Sequence, residues 1–416
     1  MRARALSQRT ARSRSSSQSD DRILRLSKDG TFQIAVFEDL HFAEDDDDDD
    51  KTKEVMKSVL SEEVVQLVVL NGDLISGEAV HSSNSSDHLH NLVSPLVEVE
   101  QPWASTYGNH DSDANLDPYK DIFKHETQYP TCLTKSDISG PGAGVTNYYL
   151  MVYPYDESSG PPALLLWFFD SRGGKSLSNC DANTTTGARG DWVDKSVTRW
   201  FIETNSHLTR HFGRTIPSLA FYHIPVHAMR AYQKEGVNES TTPGINGETV
   251  VSQGSGDTDY AGQDSPFMQS LLNTTGLIAT FSGHDHDNDW CFKWNNHIED
   301  QNLTGNGLNM CYGRHTGYGG YGNASRGARQ ILFNQESLDK EIYTWIRLED
   351  GSVSAAVTLN STYGEDHYMP GLTILFAATF AAFVVGDILG RALETFIKAR
   401  GHAISHWCTR SIFKIE

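Results

Sequence analysis

The sequence predicts an α/β protein, and three features point to that class. Short continuous apolar runs recur along the chain: Phe32–Phe37, Gln66–Leu70, Trp103–Tyr107, Ser218–Tyr222 and Leu277–Phe281. Runs of this length without alternation suit strands buried on both faces. Segments of helical character such as Lys51–Leu60 stand between them and can cover a sheet. Each run also gives way to a polar cluster, and in α/β sheets ligands gather beyond the strand ends.

The elements follow in chain order. Residues 1–22, with Arg2, Arg4, Arg9, Arg12 and Arg14 among serines, hold no apolar run and read as a disordered basic tail; a transit peptide is the alternative. The body spans residues 23–360. Within it the acidic run Asp45–Asp50, preceded by Glu44, reads as a solvated loop, because it lacks the spaced ligands and glycine of a calcium-binding loop. Glu341–Leu348 and Ser352–Leu359 read as two strands joined by a hairpin turn at Glu349-Asp350-Gly351.

Beyond Pro370, residues 371–386 are apolar on every side and extend to Leu389, which suggests a membrane anchor over 371–389, with a buried terminal helix as the alternative. The tail 390–416 is basic, so positive-inside logic leaves it in the cytosol and the body in a lumen or outside the cell. Seven Asn-x-Ser/Thr sequons, at Asn84, Asn183, Asn238, Asn273, Asn302, Asn323 and Asn360, point the same way. No secretory signal is visible near Met1. Either the natural chain starts upstream, which is the expectation, or the protein is tail-anchored with its body facing the cytosol.

Composition narrows the partners. A net charge of −20 over 416 residues disfavours nonspecific binding to nucleic acid, which depends on cationic neutralisation of phosphates. A phosphate ester remains possible, because two divalent cations in a cleft would make it locally positive. None of the five cysteines has C-x-x-C spacing, so a zinc ribbon or redox motif is disfavoured; Cys291 and Cys311 flank one loop and either pair or stay reduced.

The strand-end clusters carry the chemistry. Phosphate ester hydrolysis needs a nucleophile near neutral pH and compensation of charge on the phosphoryl oxygens. Two metal ions about 3.5–4 Å apart meet both needs by lowering the pKa of water from 15.7 towards ~7. Holding them takes imidazole, carboxylate and amide ligands, and the clusters supply Asp39, His41, Asp73, Asn109, His223, His284 and His286. His284 and His286, two apart at an extended strand end, would face one pocket.

The order D-x-H (Asp39, His41), G-D (Asp73), G-N-H-D (Asn109 to Asp111), H (His223) and G-H-x-H (His284, His286) resembles the signature of the calcineurin-like metallophosphoesterases. The resemblance implies a four-layer α/β/β/α sandwich. It implies one metal on Asp39, His41, Asp73 and His286, and another on Asp73, Asn109, His223 and His284, with Asp73 bridging. His110 resembles the family's leaving-group acid, and Asp111 the carboxylate that orients it. Stretches such as VVLNGDLISGE, FYHIPVH, GHDHDNDWC and CYGRHTGYGGYG, within residues 23–348, resemble a narrower branch. It holds fungal phosphatases of the dosage-dependent cell cycle regulator type and purple-acid-phosphatase-like plant relatives. True purple acid phosphatases carry a tyrosine ligand where this chain has Ser76. Arg314 and His315 either bind substrate or belong to a structural loop, and His227 falls outside the ligand set.

The expected activity is hydrolysis of phosphate monoesters, phosphoproteins among them, by metal-activated hydroxide. Two alternatives stand beside it: a phosphodiesterase acting on a lipid or glycolipid head group, and a catalytically silent membrane-tethered binding protein. The cofactor is two divalent or mixed-valence ions, with Mn, Fe and Zn all compatible with the ligand types.

Overall fold

The five runs Phe32–Phe37, Gln66–Leu70, Trp103–Tyr107, Ser218–Tyr222 and Leu277–Phe281 each form a strand, and their apolar side chains are covered on both faces. The computed structural model describes residues 23–368, except 81–82, 115, 141, 157–159, 176–188, 257–258 and 366. The expected tail 1–22, apolar segment 371–389 and basic tail 390–416 lie outside the described residues. Among the described residues no helix is long and apolar enough to cross a membrane.

One sheet has six strands. Thr31–Phe37 (β2), Leu67–Asn71 (β3) and Trp103–Thr106 (β4) are parallel neighbours. Gly327–Asn334 (β14), Ile342–Leu348 (β15) and Val353–Leu359 (β16) add antiparallel strands on the other side of β2. β15 and β16 are the expected hairpin, with Gly351 at φ 81° in its turn.

The second sheet has eight strands. Leu24–Arg25 (β1), Gly144–Tyr153 (β6), Leu164–Phe169 (β7), Ser218–Tyr222 (β8), Leu277–Ser282 (β9), Leu308–Tyr312 (β13) and Cys291–Trp294 (β10) follow one another across it, and Ile138–Gly140 (β5) pairs with β6. From β7 to β13 the strands run parallel. A small ribbon joins His297–Ile298 (β11) to Leu303–Thr304 (β12). β10 and β13 are joined by a Cys291–Cys311 disulfide, which resolves the alternative left open by the sequence.

Alternating side chains of each strand enter different layers. Ile34, Val36, Leu67 and Val69 meet Leu166, Phe168, Leu219 and Phe221 between the sheets. On the outer face of the six-stranded sheet, Ala35, Phe37, Val68 and Leu70 pack on Val55, Met56 and Val59 of Asp46–Glu62 (α1) and on Leu89, Leu92 and Val93 of Ser85–Glu98 (α2). A short helix, Lys124–Glu126 (α3), lies near α2. On the outer face of the eight-stranded sheet, Leu165, Trp167, Phe169 and Tyr222 pack on Lys195–Phe212 (α4), His227–Glu235 (α5) and Ser265–Asn273 (α6) through Phe201, Met229 and Phe267. Full burial of such side chains contributes roughly 1.5–3 kcal/mol each, and the result is the four-layer α/β/β/α sandwich.

The acidic run departs from expectation: it is the start of α1, not a solvated loop. Asp45 is the N-cap, its side chain accepting from the backbone N–H groups of Asp47 and Asp48, and four aspartates occupy the first turn. Carboxylates there complement both the unpaired N–H groups and the positive end of the helix dipole. Asp49 turns inward and accepts the N–H of Ala43 at 3.1 Å.

Candidate metal centre

The parallel strands of the two sheets deliver their polar ends to one place. Asp39 and His41 follow β2, Asp73 follows β3, Asn109 follows β4, His223 follows β8, and His284 and His286 follow β9. The chain turns sharply there: Asp39, His41, Asp73 and His284 have φ of 53°, 48°, 49° and 77°, a left-handed region that non-glycine residues seldom occupy. The N–H groups of Leu40 and His41 both bond to the carbonyl of Asp73, at 2.8 and 2.9 Å, locking the first two loops together. His284 is therefore not in extended backbone, and the two-residue period does not explain its direction. It joins a different ligand group from His286.

Among the described residues three groups of side chains are close enough to hold a metal ion: Asp39, His41 and His286, and Asp73, His223 and His284, both from the strand ends, and the more exposed Glu78, His110 and Asp113. His41 Nε2 and His286 Nε2 stand 3.2 Å apart. Asp39 Oδ1 lies 3.6 Å from His286 Nε2 and 3.7 Å from His223 Nε2. Asp73 Oδ2 lies 2.9 Å from His223 Nε2 and 3.9 Å from His41 Nε2, so this one oxygen spans both strand-end groups. Asn109 sits beside it, because the N–H of His110 donates to Asp73 Oδ1 at 2.8 Å.

Space at the site depends on two glycines. A Cβ at Gly72, whose φ is 97°, would lie 2.4 Å from His223 Nδ1, and one at Gly108 would lie 2.3 Å from Asp73 Oδ1.

The donor set fits a pair of divalent cations. His223 Nδ1 faces the carbonyl of Asn71 at 3.0 Å and His286 Nδ1 that of Tyr321 at 2.9 Å, which puts the proton on Nδ1 and the lone pair of Nε2 toward the centre. His223 Nε2 and Asn109 Oδ1 are buried with no hydrogen-bond partner in line. Orphaned atoms of this kind call for a partner that the protein itself does not provide.

Electrostatics agree. Burial, with a neighbouring imidazole, holds His284 down at about 3 and His286 at about 2, so both are neutral as ligands must be. Burial also raises Asp39 to about 6. Burial would raise Asp73 too, but His223 and His110 beside it hold it well below the ordinary carboxylate range. His223 resists its own burial because Asp73 and Asp39 face it, and it rises to about 10. Cations bound here would displace that proton and take over the compensation of the carboxylates.

His110 borders the centre, its ring 4.9 Å from that of His41. Its Nδ1 lies 2.9 Å from Glu78 Oε1 and 3.3 Å from Asp113 Oδ2. Burial opposes its charge, but Asp73, Glu78 and Asp113 outweigh it and raise it to about 10. Asp111 does not touch its ring. The turn His110–Ser112 sends Asp111 inward, where it accepts the N–H groups of Leu74, Ile75 and Gly108 at 2.9, 3.1 and 2.8 Å. The carboxylates facing His110 Nδ1 are instead Glu78, 32 residues away in sequence, and Asp113, one turn further along the chain.

Arg314 and His315 are both buried. Arg314 spends its guanidinium on Asp289 at 2.6 Å and on the carbonyl of Ser325. The ring of His315 is tilted 39° against that of His286, with centroids 3.9 Å apart. His227 lies outside both ligand groups and stacks on Tyr260 at 4.0 Å.

The chain is similar in sequence to several known proteins. The chain is 27% identical over 370 residues to an Arabidopsis thaliana protein named probable inactive purple acid phosphatase 29, covering 80% of this chain and 86% of that one. It is 26% identical over 343 residues to phosphatase DCR2 of Saccharomyces cerevisiae, covering 78% of this chain and 55% of the yeast protein. A solved dimetal phosphatase from Danio rerio superposes with a TM-score of 0.47 at 11% identity, over 79% of this chain and 98% of that one. The calcineurin-like phosphoesterase family pattern matches residues 32–288, more than half of the chain. With that match across every strand-end cluster of the centre, the protein belongs to the calcineurin-like phosphoesterase family.

Proposed function

We propose that the protein hydrolyses phosphate monoesters at a two-cation centre formed by Asp39, His41, Asp73, Asn109, His223, His284 and His286. The observation that carries this reading is Asp73 Oδ2 lying between His223 and His41, with His110 alongside. Two divalent ions, when bound, supply Lewis acidity toward the phosphoryl oxygens and bring the pKa of water towards ~7. The chain's own residues do the rest. Asp73 is kept ionised, as a residue that would hold cations must be, and its Oδ1 is held by the N–H of His110. With Nδ1 of His110 occupied by Glu78 and Asp113, Nε2 is the nitrogen left to protonate a departing alkoxide or phenoxide. No side chain need act as nucleophile.

The name of the Arabidopsis relative favours a silent site. The full ligand set and the orphaned donor atoms favour an active one. Turnover of an aryl phosphate and its diaryl diester by the metal-loaded protein separates monoesterase, diesterase and silent protein. Loss of turnover in both Asp73→Asn and His110→Ala supports the assignment, and normal turnover in both rejects it.

A luminal or extracellular body anchored by residues 371–389 remains our reading of location. The Cys291–Cys311 disulfide and the exposed sequon residues Asn238, Asn273, Asn302 and Asn323 support it. A mass decrease on glycosidase treatment of protein from the native host is expected. No shift would favour the cytosol-facing, tail-anchored alternative.

A further inference from the structure

We propose that Glu44 and Ser76 form a positioning pair that sets the tautomer of His41 and ties it to His286. This inference rests on the two-cation reading above. His41 turns Nε2 toward the centre and Nδ1 away from it, to 3.0 Å from Ser76 Oγ and 3.3 Å from Glu44 Oε1. Ser76 is wholly buried, and its hydroxyl donates to Glu44 Oε1 at 2.5 Å.

A hydroxyl has one proton to give. With that proton on Glu44, Ser76 can only accept from His41, so the imidazole proton sits on Nδ1. A direct approach of Nδ1 to Glu44 requires the same tautomer, because a carboxylate only accepts. Either contact leaves the lone pair of Nε2 directed at the cation position.

The same carboxylate reaches the second histidine of the group. Glu44 Oε2 accepts the N–H of Gly320 at 2.8 Å. Gly320 has φ 73° and runs so close that a Cβ there would lie 2.6 Å from His286 Cε1 and 3.0 Å from His41 Cδ2. The next residue, Tyr321, accepts the Nδ1 proton of His286 through its carbonyl at 2.9 Å and stacks its ring on that imidazole at 3.9 Å. One side chain, adjacent in sequence to a run of aspartates that serves a helix start, thus braces both imidazoles of one ligand group. The other group has its own support in the carbonyl of Asn71.

The test is calorimetric titration of Mn²⁺ into the metal-stripped full chain. Wild type is expected to take two equivalents. Glu44→Ala and Ser76→Ala should each weaken one binding step about 10–100-fold and leave the other unchanged, the usual effect of removing a group that orients a metal-ligating histidine. Glu44→Gln, which keeps an acceptor oxygen for Ser76, should recover most of the loss. Wild-type affinity at both steps in folded Ser76→Ala and Glu44→Ala would overturn the proposal. A wild-type chain that binds no Mn²⁺ would instead overturn the two-cation reading itself, so the two failures are told apart.

Discussion

His227 and Asp264 show how neighbouring residues can hide each other's titration. Burial, helped by Lys234 and Arg230, lowers His227 to about 4, and burial raises Asp264 to about 7. Between pH ~4 and ~6.5 the unfolded chain holds a proton on His227 and none on Asp264, and the folded chain the reverse. The two proton counts match, so this pair adds little slope to stability in that window. In Asp264→Asn only His227 remains; the unfolded state then binds more protons, and stability should rise with pH from ~4 to ~6.5. In His227→Gln only Asp264 remains; the folded state binds more, and stability should fall from pH ~4 to ~7. Chemical denaturation across that range checks both signs. A second expectation concerns His110. Glu78→Gln removes the nearest carboxylate on its Nδ1, which should lower the pKa of the alkaline limb in a kcat profile, whereas Asp111→Asn should act through folding stability. The sequence motif sets Asp111 next to His110, but a single turn of backbone points the two apart, and contacts such as that to Glu78 depend on a loop 32 residues away.

At the level of elements, the strands were readable because burial on both faces leaves an unbroken apolar run, and β8 matches its expected bounds, Ser218–Tyr222. Helix α1 was readable only in its second half. Six consecutive aspartates look like solvated chain until Asp45 is seen capping a helix whose apolar face, Val55, Met56 and Val59, packs on the sheet. Asp45→Ala should cost about 1 kcal/mol, measurable as a lowered denaturation midpoint with unchanged slope. The disulfide between β10 and β13 closes a separation of 20 residues. Its removal in a Cys291→Ser, Cys311→Ser double variant should cost about 3 kcal/mol by loop-closure entropy, also measured by denaturation. The pairing was undecided in the sequence because spacing alone does not tell that the two strands are neighbours with these residues opposite each other.

Across the whole molecule, the centre draws on both sheets, so cations bound there would brace the sandwich as well as serve chemistry. Binding to the folded chain alone stabilises it by about 2.7 kcal/mol when the free ion is at a hundred times its Kd. Chelator-treated protein should therefore melt at lower temperature than protein with Mn²⁺ restored, and Asp73→Asn should show a smaller difference than wild type. The sequence by itself determined the α/β class and the set of chemically distinctive residues at strand ends, because hydrophobic runs and metal-ligand types are local properties of a chain. Only the tertiary structure decided what each of those residues leans on: Glu78 and Asp113 for His110, Ser76 and Glu44 for His41, Asp289 for Arg314. Those partnerships are made across turns and between sheets, where hydrogen-bond geometry depends on distances in space that no spacing along the chain encodes.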